Sequence, residues 1–240
     1  MSTTTDLASI PEKLRSLLTD RPFHKSYGES DCGASDRTVY RSDAYRRLAP
    51  QYAYGRHRGP APRHSHPAAV LVALVPDGRG GWSIPLTLRP PQMLDHAGQI
   101  SLPGGRAETG ESVWTTACRE FGEELGCSTD DLQPIGELRP LYVYASRHQV
   151  VPMVSVCPSI PTFQPNPDEV AELIFFPLHS LVTDDAIVVG TMQRGSSLFD
   201  VPGFRVGDHL VWGATAMILG ELRQLVCSIV EAEPRSPWFL

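Results

Sequence analysis

The segment between Gly105 and Cys127 places a glycine turn directly before a stretch that carries three closely spaced glutamates. Glu120, Glu123 and Glu124 fall on one face of a helix, because their spacing matches one helical turn. Like charges at this spacing repel by about 0.2–0.5 kcal/mol per pair, so the helix gains nothing from them alone. A hard divalent cation such as Mg²⁺ or Mn²⁺ changes that balance, because it prefers carboxylate oxygens. The alternative is a solvated acidic helix face.

The pattern predicts that these glutamates lie on a helix over residues 112–125, with an apolar stripe facing inward. The stripe consists of Trp114, Ala117, Cys118, Phe121 and Leu125. Gly126 suits a left-handed C-cap, which would end the helix there. Gly122 costs about 1 kcal/mol relative to alanine inside a helix, so its presence indicates close packing on that side.

The remaining pattern mixes strands with helices, which indicates a layered α/β fold. The predicted strands cover residues 68–75, 82–88, 133–142, 150–156 and 170–177, and two further helices cover residues 5–18 and 213–230. We divide the chain into an N-terminal helix with an irregular arm, residues 1–66, and a compact domain, residues 67–240. The stretch from about 19 to 67 shows no clear periodicity. It could contact a partner or ligand, or pack against the domain's own surface.

Composition narrows the class of protein and of partner. A net charge of −6 argues against a general nucleic-acid-binding surface, and no run of about 18 apolar residues predicts a membrane span. The five cysteines are scattered without a CxxC pair, which argues against a disulfide framework or zinc site and fits a reducing compartment. The first residues lack a secretory signal, so we expect a cytoplasmic protein. The oligomeric state stays open, with a homodimer as one possibility.

Every charged and glycine position of the Nudix box is filled between Gly105 and Cys127, so the chain resembles the Nudix hydrolases. The agreement covers Gly105, Glu111, Arg119, Glu120, Phe121, Glu123, Glu124, Gly126 and Cys127. Enzymes of this family hydrolyse a nucleoside diphosphate linked to another moiety. The resemblance therefore implies a hydrolase acting on phosphorus-containing anhydrides, a small-molecule nucleotide substrate and Mg²⁺ or Mn²⁺ as cofactor. It also implies an α/β/α sandwich with a mixed central sheet.

The resemblance further implies roles for individual residues. The metal would be held by the carbonyl oxygen of Gly105 and the carboxylates of Glu120, Glu123 and Glu124. Glu111 and Arg119 would form an ion pair that holds the turn against the helix, although a plain surface arginine is the alternative. Bound metal ions would neutralise phosphate charge and activate a water for attack on phosphorus.

A general base is harder to assign. Glu169 follows Asn166-Pro167-Asp168 in a predicted loop, and related enzymes often supply a further carboxylate from such a position. Glu169 is therefore our candidate for an extra ligand or base, with a solvated loop glutamate as the alternative. His96 and His148 could also transfer protons, since histidine titrates near neutrality, but a structural hydrogen bond is the more usual role.

Residues 86–105 resemble a second signature, which belongs to the coenzyme A pyrophosphatase branch of the Nudix family. Thr87, Arg89, Gly98 and the turn Pro103-Gly104-Gly105 agree with it. The resemblance, together with the arginines nearby, gives Arg89, His96, Gly98, Gln99 and Arg147 as substrate-binding candidates. The reaction would split coenzyme A or an acyl derivative into 3′,5′-ADP and 4′-phosphopantetheine or its acyl form.

Three positions depart from this second signature: Pro90 replaces Ser or Ala, Leu94 replaces Arg, and Leu102 replaces Phe. The loss of arginine at Leu94 matters most, because arginine can bond phosphate bidentately. Arg89 or Arg147 could take over that role, or the substrate could differ. One alternative is a Nudix pyrophosphatase for ADP-ribose, dinucleotides or nucleoside diphosphate sugars. Another is a non-catalytic nucleotide-binding module, which would not need all three carboxylates.

Overall fold

The computed structural model describes residues 7–19, 42–50, 61–93, 97–183, 185–194 and 196–232. At its centre, β1 (His66–Pro76) pairs with three strands: antiparallel with β2 (Trp82–Leu88) and β4 (Gly104–Arg106), and parallel with β7 (His148–Val156). The other strands of this sheet are β3 (Ile100–Ser101), β5 (Gln133–Glu137), β6 (Leu141–Val143) and β8 (Glu172–Pro177). Within the described residues the sheet thus has eight strands and is mixed.

Helices cover both faces of this sheet. The helix α3 (Val113–Leu125) lies on one face, and α1 (Ile10–Thr19), α2 (Asp43–Leu48) and α4 (Gly213–Ala232) lie on the other. Side chains of β1 alternate between the two sides: Leu71 and Ala73 belong to the cluster under α3, whereas Val72 and Leu74 belong to the opposite cluster. A strand buried on both faces reads as a continuous apolar run, as β1 does. The expected α/β/α sandwich is confirmed.

The predicted helix over residues 112–125 is confirmed as α3. Ser112 is its N-cap, with a side chain that accepts a hydrogen bond from the Thr115 N–H, and Gly126 is its C-cap at φ 58°. The left-handed conformation of Gly126 favours glycine, and a side chain there would also overlap the backbone of Gln164. The helix therefore begins and ends where its own local sequence specifies.

Two predictions about strands and loops are wrong in detail. The strand predicted over 133–142 is divided into β5 and β6. Leu138 still donates to the carbonyl oxygen of Pro152 on β7 at 2.9 Å, but Pro140 has no N–H to continue the ladder. The stretch from 19 to 67, predicted to be irregular, contains α2. That helix has only six residues, too few for a periodic pattern to reveal it.

Both N-terminal helices contribute to the core. Ile10, Leu14 and Leu18 of α1 and Tyr45 and Leu48 of α2 belong to the hydrophobic cluster that also contains the buried face of α4. The Tyr45 hydroxyl donates to the Arg139 carbonyl oxygen at 2.5 Å. The domain boundary at residue 66 stays a prediction, but the described parts of residues 1–66 pack on the domain that follows.

The helix α4 is long and apolar enough, by length and composition, to span a membrane. However, 61% of its segment Gly213–Glu231 is buried inside the protein, where it packs against α1 and α2. Burial of this extent is expected for the core helix of a folded domain.

A second antiparallel sheet, not predicted from the sequence, precedes α4. Among the described residues it consists of β9 (Ile187–Arg194), β10 (Ser197–Val206) and β11 (His209–Trp212), in the order β11-β10-β9. Glycines interrupt the apolar pattern here for a reason outside the local sequence. The side chain of Leu210 occupies the space where Gly190 would otherwise carry a Cβ atom, and the backbone carbonyl of Val211 occupies that space at Gly203.

Candidate active site

Strand β4 brings the glycine turn against the helix α3. Gly104 and Gly105 pair with Val70 and Ala69 of β1, and a Cβ atom at Gly105 would overlap the carboxyl group of Glu120. A Cβ atom at Gly104 would likewise overlap the backbone of β1. Gly104 is therefore required by close approach to the backbone of β1, and the space beside Gly105 forms a cradle occupied by the Glu120 carboxylate.

Arg119 connects the turn to the acidic face of α3. Its Nε and Nη2 atoms donate to the two oxygens of Glu111 at 2.8 and 3.1 Å. Its Nη1 donates to Glu120 Oε1 at 2.9 Å and Glu123 Oε2 at 3.0 Å, and Nη2 also reaches the Arg106 carbonyl oxygen at 3.0 Å. The ion pair between Glu111 and Arg119 is thus present, and the same guanidinium group partly neutralises two of the three clustered carboxylates.

Glu111 is fixed by more than the arginine. The Glu108 N–H donates to Glu111 Oε2 at 2.8 Å, and the Thr116 hydroxyl donates to the same oxygen at 2.9 Å. The hydrogen bond from Arg119 is the main reason that the pKa of Glu111 falls to about 2. Glu111 is therefore ionised at neutral pH and orients Arg119. The contribution of Thr116 is absent from the sequence prediction, although its place in the first turn of α3, five residues after Glu111, was a usable signal.

Glu124 is the most buried of the three clustered carboxylates, at 5% exposure. Its Oε1 accepts a hydrogen bond from the Gly104 N–H at 3.2 Å, and its Oε2 accepts one from the Thr87 hydroxyl at 3.4 Å. Burial raises the pKa of Glu124 to about 7, and the charges of Glu120 and Glu169 act in the same direction. Burial likewise raises the pKa of Glu120, against the opposing effect of Arg119.

The chemistry of this donor set fits a hard divalent cation. It offers three carboxylates, the Gly105 carbonyl oxygen and a glycine cradle against Glu120. As positioned, no three His, Cys, Asp or Glu side chains among the described residues converge to hold an ion. Glu120 and Glu123 are instead bonded to Arg119. The Glu123 side chain is 58% exposed, so it has room to leave Arg119 and turn toward a cation.

Glu169 is brought to the site by a loop that docks on the end of α3. The Gln164 N–H donates to the Leu125 carbonyl oxygen and the Asn166 N–H to that of Glu124, each at 2.9 Å. Glu169 itself is exposed, and its charge raises the pKa of both Glu120 and Glu124. The structure thus places Glu169 on the same side as the carboxylate cluster.

Arg89 directly follows β2, and its positive charge lowers the pKa of Glu124 against the larger effect of burial. Its N–H donates to the Gln99 carbonyl oxygen at 3.0 Å, and the Gly98 N–H donates to the Arg89 carbonyl oxygen at 3.1 Å. The Arg89 Nε is buried without a hydrogen-bond partner in the described part of the chain. Arg89, Gly98 and Gln99 therefore meet beside the cluster, whereas His96 and Leu94 lie outside the described residues.

Arg147 is not brought to the carboxylates by any hydrogen bond or ion pair seen among the described residues. It is exposed in the turn before β7, at φ 56°, and its carbonyl oxygen accepts from the His66 N–H at 2.9 Å. The ring of the next residue, His148, is tilted by 53° relative to that of His66, with ring centroids 5.7 Å apart. An open depression of about 650 Å³ borders the cluster, lined by Arg106, Ala107, Glu108, Thr109, Arg119 and Glu120.

Comparison with known proteins gives consistent relatives. The NUDIX domain model matches residues 64–191, more than half of the chain. The Nudix hydrolase NudL of Yersinia enterocolitica is 34% identical over 164 residues, which cover 68% of this chain and 83% of that protein. The human mitochondrial coenzyme A diphosphatase NUDT8 is 36% identical over 163 residues, covering 66% and 69%. The Nudix hydrolase RenU of M. smegmatis superposes with a TM-score of 0.48 at 16% identity, covering 76% and 96%.

Proposed function

The chain belongs to the Nudix family and is a hydrolase of diphosphate bonds, and within that family we propose that it cleaves coenzyme A or acyl-coenzyme A. The products would be 3′,5′-ADP and 4′-phosphopantetheine or its acyl form. The observation that most supports this substrate is direct hydrogen bonding between residues of the two signatures. Thr87 and Gly104, which belong to the coenzyme A signature, both bond the Glu124 carboxylate of the Nudix box. The name of the human relative, a coenzyme A diphosphatase, supports the same substrate.

We propose Mg²⁺ or Mn²⁺ as the cofactor, held by the Gly105 carbonyl oxygen and the carboxylates of Glu120, Glu123 and Glu124. When bound, the ion supplies charge neutralisation and an acidified water for attack on phosphorus. Arg119 then keeps its bidentate contact with Glu111, because that contact is separate from its Nη1 bonds to Glu120 and Glu123. Release of those Nη1 bonds would free two carboxylates for the ion.

The residues around the cluster would bind the substrate and handle the proton. The Arg89 guanidinium, with its buried Nε lacking a partner in the described chain, is suited to a substrate phosphate oxygen. Glu169 is exposed and close enough to affect Glu120 and Glu124, so it is our candidate for an additional ligand or for the base that takes a proton from water. Gly98 and Gln99 shape the loop that presents Arg89.

A second candidate substrate class is favoured by a specific observation, the departures from the coenzyme A signature. Leu94 and Leu102 stand where that signature has Arg and Phe. A leucine cannot bond a phosphate, so one contact of the branch is missing. ADP-ribose, dinucleotides or nucleoside diphosphate sugars are the corresponding alternative substrates.

We also propose a cytoplasmic location and no nucleic-acid or membrane partner, from the scattered cysteines and the acidic net charge.

A product analysis separates the candidates. Purified protein is incubated with Mg²⁺ or Mn²⁺ and coenzyme A, acetyl-coenzyme A, ADP-ribose or NADH, and products are identified by mass. We expect metal-dependent 3′,5′-ADP from the coenzyme A substrates. Glu120→Gln should lower that rate by about 10²–10⁴-fold. Glu231→Gln, at an exposed position in α4, serves as the matched control and should retain full activity. Release of AMP from ADP-ribose alone would replace the coenzyme A assignment with the second class.

A further inference from the structure

The hydroxyl group of Thr87 connects the central sheet to the acidic face of α3. Thr87 is 1% exposed on β2, and its Oγ1 lies 3.4 Å from Glu124 Oε2. The same atom lies 3.0 Å from the hydroxyl of Ser101, which is its register partner on β3. Three elements that are far apart in the chain therefore meet at one buried hydroxyl group.

The direction of these hydrogen bonds follows from the chemistry of the groups. When Glu124 is ionised, as a metal ligand must be, its carboxylate can only accept, so the Thr87 hydroxyl donates to it in competition with the Ser101 carbonyl oxygen, which also lies 3.4 Å from Thr87 Oγ1. The lone pairs of the Thr87 oxygen are then available to accept the proton of the Ser101 hydroxyl. Ser101 thus orients Thr87, and Thr87 orients Glu124, in one continuous chain of donors. In a low-dielectric interior, the hydrogen bonds of such a chain polarise and strengthen one another.

The second oxygen of Glu124 is fixed independently. The Gly104 N–H donates to Oε1 at 3.2 Å, so each carboxylate oxygen receives one donor from the protein. A carboxylate offers about four lone-pair positions, which leaves positions on both oxygens for other ligands. Two donors on different oxygens prevent rotation of the group about its last bond. The two contacts therefore favour one rotamer of the ionised Glu124 side chain.

We infer that Thr87, supported by Ser101, is a positioning residue that holds the Glu124 carboxylate in the orientation required to bind the catalytic cation. The inference rests on the proposed metal site at Glu124 and is independent of which diphosphate substrate is cleaved. It also gives a physical reason for threonine at this place in the second signature. Valine would fill the same volume without a donor, and serine would keep the donor.

The test measures metal binding directly, in the full-length protein without substrate. Isothermal titration with Mn²⁺ is carried out on wild type, Thr87→Val, Thr87→Ser and Glu124→Gln. Ser155→Ala is the control, because it removes another buried hydroxyl group, on β7, that lacks a hydrogen-bond partner among the described residues. Loss of an outer-shell partner typically lowers metal affinity by 10–100-fold, so Thr87→Val should raise the Mn²⁺ Kd by about tenfold or more. Thr87→Ser and Ser155→Ala should stay within about threefold of wild type.

An Mn²⁺ Kd for folded Thr87→Val within about twofold of wild type would overturn the inference, because outer-shell loss should exceed that range. If Glu124→Gln also binds Mn²⁺ normally, the proposed metal site itself fails, which distinguishes the two failures. Should circular dichroism show that Thr87→Val does not fold, Ser101→Ala replaces it, since Ser101 is only partly buried. We expect Ser101→Ala to weaken Mn²⁺ binding by about threefold, and an unchanged Kd there would equally overturn the inference.

Discussion

Glu124 carries a carboxyl group in a nearly closed environment, and burial there raises its pKa to about 7. Without metal, the folded protein therefore holds a proton that the unfolded chain releases near pH 4.5. The free energy of unfolding consequently falls as the pH rises from 4.5 to 7, by up to about 3 kcal/mol. Ionised Glu124 is suited to hold a cation, but in the metal-free protein its ionisation lowers the free energy of unfolding.

Glu124→Gln should separate these two effects. In EDTA, the neutral amide cannot titrate, so the fall in stability between pH 5 and pH 8 should be reduced and the variant should be more stable than wild type at pH 8. Its kcat with metal should drop by about 10²–10⁴-fold. Urea unfolding at both pH values, with Glu231→Gln as an exposed-carboxylate control, measures the first effect. A pH dependence equal to that of wild type would contradict the assignment.

The pKa of Glu111 is shifted in the opposite direction to that of Glu124, so Glu111 affects stability in a different pH range. Arg119 lowers the pKa of Glu111 to about 2, so the folded protein releases a proton that the unfolded chain still binds. The resulting stabilisation is present above pH 4.5 and is lost as the pH falls toward 2. The windows of Glu111 and Glu124 meet near pH 4.5. Burial also raises the pKa of Glu137 to about 7, so the contribution of Glu124 between pH 5 and 8 is the difference between wild type and Glu124→Gln.

Elements differ in how well the sequence predicts them, and the difference follows the range of the contacts that define them. The helix α3 was predicted correctly because its cap, apolar stripe and terminal glycine all lie in consecutive residues. The sheet of β9, β10 and β11 was missed because Gly190 is needed only where the Leu210 side chain approaches it, and Gly203 only where the Val211 backbone does. In the site, spacing gave the residues but not the rotamers, so the bonds from Arg119 to Glu120 and Glu123 were not predicted.

Strand β4 and the helix α3 together hold the Glu120 carboxyl group beside Gly105. The substitution Gly105→Ala tests this arrangement. Gly105→Ala would place a Cβ atom on the Glu120 carboxyl group, which is the flexible end of its side chain and can move away. We expect folding stability within about 1 kcal/mol of wild type but a loss of activity of about 10²-fold, because one ligand is displaced. Thermal unfolding and turnover with Mg²⁺ are measured together.

Gly122→Ala is the matched control for the same substitution within the helix. A Cβ atom at Gly122 would lie 3.3 Å from the Cys127 carbonyl oxygen and would not reach the carboxylates. Its activity should stay within about threefold of wild type, since no ligand moves. Equal losses of activity in Gly105→Ala and Gly122→Ala would show that the helix as a whole, rather than the contact with Glu120, is responsible.

On the scale of the whole molecule, residues 1–66 were predicted as an N-terminal helix and an irregular arm, and their described helices pack into the core of the domain that follows. Leu48 of α2 is 1% exposed, and its side chain occupies the space beside Gly220 of α4. Ala44 lies against the same glycine, where an added Cβ would meet its own at 3.2 Å. An element that fills such a space contributes to the stability of the element it covers.

Leu48→Ala should therefore destabilise the entire protein rather than a separate segment. Removal of a buried leucine side chain typically costs about 2–5 kcal/mol, which lowers Tm by roughly 2–4 °C per kcal/mol for a chain of this size. Calorimetry should show one cooperative transition at a lower temperature, whereas Arg47→Ala, exposed on the same helix, should leave it unchanged. An independent N-terminal unit would instead leave the main transition of Leu48→Ala at the wild-type temperature. The single shifted transition is expected because α2 and the main sheet bury their side chains in one continuous cluster with α4.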